Sequence, residues 1–301
     1  MGFGDSTNRI VNSGTVSEAI VASYEDQGTY FVNNGIVQTA TNNNSPASNF
    51  NRPATISHFI NGDGSGSTGT VGTVTNNNGV FFNGNDSAVG TVETATINNG
   101  TFYNGRYGGT GSVENLFFNG GQYIANYRGG TSSLTNLTLG KRIDAAQGTE
   151  FAQSNVQKLA FSADYGLITI TGYDNGESIG FTNDINLTAP TIDLTGTNLQ
   201  VNLANVFDSA AGFGETYSFD LLNFFTGAST ILGGDEIGTL AFIFGDQSSL
   251  SVISAGAWAD DWSYSNGALV YAGGGNETPE PATLLILGLG LAGLGLARRK
   301  R

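Results

Sequence analysis

Residues 69–84 read GTVGTVTNNNGVFFNG and residues 90–105 read GTVETATINNGTFYNG, so eleven of sixteen positions match at an offset of 21. Residues 111–126, GSVENLFFNGGQYIAN, continue the register, and residues 132–147 follow more loosely. Gly79, Gly100 and Gly121 keep the 21-residue spacing. Upstream, RIVNSGTV (9–16) and YFVNNGIV (30–37) stand 21 apart and align Gly14 with Gly35. From Gly35 to Gly79 is 44 residues, two periods plus two, with the extra sequence expected in the polar stretch Thr41–Asn51. A period near 20 residues marks a solenoid, in which each repeat buries its apolar face only against its neighbours.

The apolar positions align in columns: Val71, Val92, Val113 and Leu134; Val74, Ala95, Leu116 and Leu137; Val11, Val32, Ile97, Phe118 and Leu139; Val16, Val37, Phe81, Phe102 and Tyr123. The runs between turns are short and rich in Val, Thr, Ile and Phe, which suits strands rather than helices. Asn-Gly and Asn-Asn steps supply the positive φ that corners need. Leucine-rich repeats are excluded, because their leucine spacing is missing. The pattern predicts an all-β chain built as a parallel β-helix of about 21 residues per coil, with three short strands in each. Asn76 falls in an apolar column, where it would bond its counterpart in the next coil or the backbone, unless that coil slips in register.

Residues 1–150 hold the regular repeats, and residues 151–271 read as less regular coils closing in a C-terminal β cap. A cap is needed because the last coil of a solenoid otherwise exposes strand edges and core. Trp258 and Trp262 are expected to pack in that cap, and residues 272–278 form a linker. The stretch from about 200 to 275 resembles, in general pattern, the closing portion of autotransporter-type β-helical passengers. That resemblance implies a right-handed coil.

Composition narrows the function. Of 301 residues, 45 are glycine and 32 asparagine, while only 12% are charged. Without cysteine there is no disulfide, thiolate zinc site or cysteine nucleophile, and the single histidine, His58, excludes a multi-histidine metal site. Residues 1–276 carry seven Lys/Arg against 23 Asp/Glu, a net of −16, so the body should repel nucleic acid. No cofactor is expected, and calcium would bind such an acidic surface only weakly and without a dedicated site.

The positive charge gathers in Arg298, Arg299, Lys300 and Arg301, behind the uncharged stretch Ala282–Ala297, ATLLILGLGLAGLGLA. As a helix, 282–297 would span about 24 Å, slightly less than a bilayer core of about 30 Å. It reads as a single transmembrane helix with its basic end cytoplasmic; a buried core helix is the alternative. Pro279-Glu280-Pro281 before it is stiff and extended, as a processing enzyme requires of its substrate. Pro-Glu-Pro, a Leu/Gly-rich span and a terminal basic cluster, together 279–301, resemble the PEP-CTERM sorting signal. The resemblance implies a Gram-negative protein that is exported, held transiently in the inner membrane and cut near Pro279–Pro281 by an exosortase. It is then released or anchored at the cell surface or in exopolysaccharide. Met1-Gly2-Phe3-Gly4-Asp5 offers neither the basic start nor the apolar run of a signal peptide, which reads as a truncated start.

Parallel β-helices also host polysaccharide lyases and hydrolases, whose chemistry needs close carboxylates. Equivalent repeat positions hold Gly72, Glu93 and Glu114, which would stack Glu93 and Glu114 about 5 Å apart at the backbone. A solvated surface pair is the plainer reading. Asp260 and Asp261 would point to opposite faces of a strand, Asp63 lacks calcium-loop spacing, and no G-x-S-x-G elbow surrounds a serine. The expectation is therefore a non-enzymatic surface or matrix protein with a structural or adhesive role in biofilm or exopolysaccharide, a β-helical lyase or hydrolase being the alternative.

Overall fold

The computed structural model describes residues 8–23, 29–44, 58–153, 156–176, 178–185, 187–210, 217–254, 257–265 and 267–271. The chain winds as a parallel solenoid in which every early coil contributes one short and one long strand. The coils are β1 (Asn8–Asn12) with β2 (Thr15–Ser23), β3 (Thr29–Asn33) with β4 (Ile36–Asn44), and β5 (His58–Asp63) with β6 (Thr68–Asn76). Next come β7 (Val80–Asn85) with β8 (Val89–Ile97), β9 (Thr101–Arg106) with β10 (Thr110–Phe118), and β11 (Gln122–Tyr127) with β12 (Thr131–Leu139). The short strands stack into one sheet that ends on β13 (Glu150–Ala152). The long strands stack into a second that continues through β14 (Lys158–Phe161).

The three strands expected per coil resolve into two, because the long strand bends instead of stopping. Between β6 and β8, Val71 pairs with Val92 and Thr73 with Thr94, but Gly72 and Glu93 between them are skipped. The same position is skipped between β8 and β10, at Glu93 and Glu114. Burial changes phase there too: Gly90 and Val92 are buried, then Ala95 and Ile97. A straight strand keeps a period of two. The chain therefore turns a corner at Glu93 and lines two faces with one strand.

Side chains inside the coil stack on their own kind. Phe31, Phe59, Phe81, Phe102, Tyr123 and Phe151 form one column, with successive ring centroids 5.0, 4.9, 4.7, 5.7 and 4.8 Å apart. Beside it runs a column of amides. Asn12 donates to Asn33, Asn33 to Asn61, Asn61 to Asn83 and Asn83 to Asn104, through Nδ2–Oδ1 bonds of 2.9, 2.9, 2.9 and 2.8 Å. The second Nδ2 proton of Asn33, Asn61, Asn83 and Asn104 goes to the carbonyl of Thr70, Thr91, Ser112 and Ser133, each at 3.0 Å. These four asparagines are 0% exposed, and both Nδ2 protons of each are satisfied. The ladder ends where Asn104 donates to the Tyr123 hydroxyl at 2.8 Å. Burial holds the Tyr123 phenol far above its ordinary value, against the Asn104 bond that lowers it.

Glycines make room for this column. A Cβ at Gly69, Gly90 or Gly111 would stand within 2.4 Å of the Oδ1 of Asn61, Asn83 or Asn104. One coil further, Ala125 replaces the asparagine and Ser132 replaces the glycine, so the pair disappears together.

Two of the expected columns join the wrong faces. Val11 and Val32 stack over Ile60 and Phe82, not over Ile97. Val16 and Val37 stack over Val71, whereas Phe81 and Phe102 lie beneath Phe31 and Phe59. The reason is that both turns of the coil carry Asn-Gly. Gly35 closes the short strand, while Gly79, Gly100 and Gly121 precede it. The count of two periods plus two was thus a coincidence of unlike turns. The true offsets are 28 residues, Phe31 to Phe59, and 34 residues, Val37 to Val71. Asn76 is correctly in register: it pairs with Asn42 and Ile97 and donates to the Thr101 carbonyl at 3.1 Å.

Toward the C-terminus β15 (Leu167–Asp174) and β16 (Ile179–Asn183) form a hairpin-like antiparallel pair. β17 (Thr191–Asp193) extends the long-strand sheet, and β18 (Asn198–Asn202) pairs with β15 in parallel. β19 (Tyr217–Asp220) follows, and β20 (Thr230–Leu232) completes the long-strand sheet. β21 (Thr239–Ile243), β22 (Ser249–Ser254) and β23 (Ala257–Trp258) close the mixed sheet antiparallel. β24 (Trp262–Ser265) and β25 (Ala268–Tyr271) join β19 in a small antiparallel sheet. Trp262 is buried, stacked 5.0 Å from Phe242 and tilted against Tyr271 at 5.0 Å, and Trp258 stacks 6.0 Å from Tyr264. Both tryptophans thus pack in the closing sheets. Asp260 and Asp261 lie in the exposed turn between them.

No described helix is long and apolar enough to cross a membrane. The expected helix 282–297, the Pro279-Glu280-Pro281 motif and the basic residues 298–301 lie outside the described residues.

Candidate functional site

The short strands present their second face outward. His58 opens β5 with its ring 4.5 Å from Tyr30 and nearly parallel to it, and 5.8 Å from Phe82 on the other side. Phe82 stacks on Tyr103 at 5.2 Å, and Tyr103 meets Tyr127 edge-on at 5.2 Å. Val32, Ile60 and Phe82 form a small cluster separate from the main core, with Tyr30, Val80 and Tyr103 packed against it. An outer column of rings therefore parallels the inner one. Burial and the neighbouring Tyr127 hold the Tyr103 phenol above its ordinary value, against the pull of Arg106.

At the end of this column the turns carry cations. The guanidinium of Arg106 lies 4.2 Å from the centroids of both Phe82 and Tyr107. That of Arg128 lies 5.3 Å from Tyr127 and 5.5 Å from Tyr107. These residues were not singled out from sequence. The signal was RYGG at 106–109 and YRGG at 127–130, at equivalent repeat positions.

Glu93 and Glu114, the expected carboxylate pair, sit at the corner of adjacent coils, and both are exposed. Asn115 donates to the Glu93 carbonyl at 3.3 Å. Among the described residues no group of three or more His, Cys, Asp or Glu is placed to hold a metal. A cleft of about 160 Å³ at the junction with the closing sheets is lined by Arg142, Asp144, Tyr165 and Asp184 among others. Arg142 and Asp184 are ion-paired across it. Its volume is below the ~300 Å³ of ordinary ligand pockets.

Residues 277–301 match the family of the PEP-CTERM protein-sorting motif. Neither a curated protein nor a solved structure matches the chain. The chain thus carries a PEP-CTERM sorting motif, which implies export, processing by an exosortase, and passage from a membrane-anchored to a surface state. The likeness of the body to autotransporter passengers finds no matching structure.

Proposed function

We propose that this is a surface or extracellular-matrix protein whose β-solenoid body has a structural or adhesive role in biofilm or exopolysaccharide. The observation that carries the reading is the sorting motif at 277–301 joined to an extended stack of coils. In this reading 282–297 anchors the chain in the inner membrane, cleavage falls near Pro279–Pro281, and the coil is right-handed. The stacked coils present rows of hydroxyls, amides and rings that suit hydrogen bonding and stacking on sugars. Glu93 and Glu114, both exposed, are surface carboxylates in this account rather than an acid–base pair.

The test is matrix retention in a Gram-negative host with an intact exosortase. The full chain, behind a secretory leader, should accumulate in the exopolysaccharide fraction. A chain ending at residue 276 should be found free in the medium or periplasm. Equal retention of both forms, or matrix-degrading activity that vanishes on Glu93→Gln with Glu114→Gln, would overturn the proposal.

A further inference from the structure

The turns after β9 and β11 share the left-handed corner of the turn after β7, where Asp86 takes φ 52°, but they place arginine and tyrosine there. Arg106 stands opposite Tyr127 in the ladder between these strands. One residue on, Tyr107 and Arg128 occupy equivalent places, and the Arg128 Nη1 donates to the Tyr107 hydroxyl at 3.4 Å. The order of cation and ring is inverted between the two coils. Each arginine therefore has a ring beside it along the chain and another across the ladder.

Three features bear on this face. Tyr107 and Arg128 both adopt φ 49°, a left-handed conformation that side chains like theirs rarely take. Such a residue costs on the order of 1 kcal/mol or more, although glycines stand immediately after each. Second, neither guanidinium has a carboxylate partner among the described residues, and the Arg106 Nε has no hydrogen-bond partner. Arg9, Arg142 and Lys158, by contrast, are each ion-paired. Third, Tyr107 leaves 37% of its surface exposed over a body whose net charge is −16. Cations without a carboxylate partner, packed on rings of which Tyr107 is exposed, are poorly explained by folding alone. Arginine forks bind carboxylates in a bidentate way, and rings take the flat faces of sugars. The coil spacing of about 4.8 Å is close to the length of one pyranose.

We infer that Arg106, Tyr107, Tyr127 and Arg128 form a binding site for a carboxylated polysaccharide, the rings taking sugar faces and the guanidiniums the carboxylates. The inference rests on the matrix reading above and narrows it to one face and one charge class. Successive sugars of an extended chain would lie along the coil axis and meet one arginine per coil.

The experiment is affinity electrophoresis of the full chain through native gels holding alginate, a carboxylated polysaccharide, or dextran, a neutral one. Alginate should retard the protein, dextran should not, and retardation should fall with added salt. Arg128→Gln and Tyr107→Ala should each weaken the alginate Kd roughly tenfold, as loss of one charge-assisted contact or one stacked ring implies. Arg128 is fully exposed, so its variant should keep the wild-type circular dichroism. Unchanged retardation of both variants would overturn this site while leaving a matrix role elsewhere on the coil. Equal retardation by dextran would overturn the carboxylate preference. Retardation by neither gel would overturn the site, and the matrix-retention result would show separately whether the broader reading survives.

Discussion

Asn83→Ala tests the buried amide column at its centre. The Asn83 side chain accepts from Asn61 at 2.9 Å and donates to Asn104 at 2.8 Å and to the Ser112 carbonyl at 3.0 Å. Alanine removes all three bonds and leaves an Asn61 N–H facing a dry gap. At about 1 kcal/mol net per bond, plus 1–3 kcal/mol for the stranded donor, the loss is roughly 4–6 kcal/mol. Asn98→Ala is the control. Asn98 donates to Asn77 at 2.8 Å and accepts from Asn119 at 2.9 Å, but both bonds are exposed. Water replaces them, so about 1 kcal/mol or less is expected. Equilibrium urea unfolding followed by circular dichroism measures both, with equal m-values as the condition for comparing midpoints. An Asn83→Ala midpoint no lower than that of Asn98→Ala would refute the view that the inner ladder holds the coils together.

Glycine 90 is expected to be irreplaceable: a Cβ there meets the Gly84 nitrogen at 2.3 Å and Asn83 Oδ1 at 2.4 Å, whereas at Gly14 the nearest atom is 3.9 Å away. Gly90→Ala should therefore lower the unfolding midpoint far more than Gly14→Ala, and similar midpoints would contradict the packing. Asp193 has its carboxyl held below the ordinary range: burial pushes it up, but the bonds from Lys158 and Thr195 prevail. A depressed folded pKa contributes stability above about pH 4 that is lost as pH falls through the lower folded value. Lys158→Met should lessen that acid sensitivity while costing ~1 kcal/mol or less at neutral pH, since the pair is partly exposed; a pH series of unfolding midpoints reads it. Glu93→Gln combined with Glu114→Gln should leave stability within about 0.5 kcal/mol, and polysaccharide reducing-end assays should show no turnover in either form.

The 21-residue period, the columns beginning at Val71 and Val74 and the in-register Asn76 were legible because side chains of like size repeat at one spacing. The bend at Glu93 was not, since no single residue type marks it: Gly72 occupies the same corner as Glu93 and Glu114, and the chain turns with any of them. The first two coils misled because Val-Asn-x-Gly at 11–14 and 32–35 resembles the other Asn-Gly turn of the coil. Only cross-coil stacking of Phe31 on Phe59 separates the two. The inner ladder was hidden for a related reason. Asparagine is a turn residue in most contexts, and only the glycine seven residues after Asn83 and Asn104 betrays an inward amide. The Arg106–Arg128 face was overlooked because two charges inverted in order break the repeat rather than extend it.

The most direct measurement is mass spectrometry of the C-terminus of the mature protein in fractionated Gram-negative cells that express an exosortase. The account predicts a C-terminus near Pro279–Pro281 in the surface or extracellular fraction, with Ala282–Arg301 removed. An intact Arg301 on protein held in the inner-membrane fraction would contradict it.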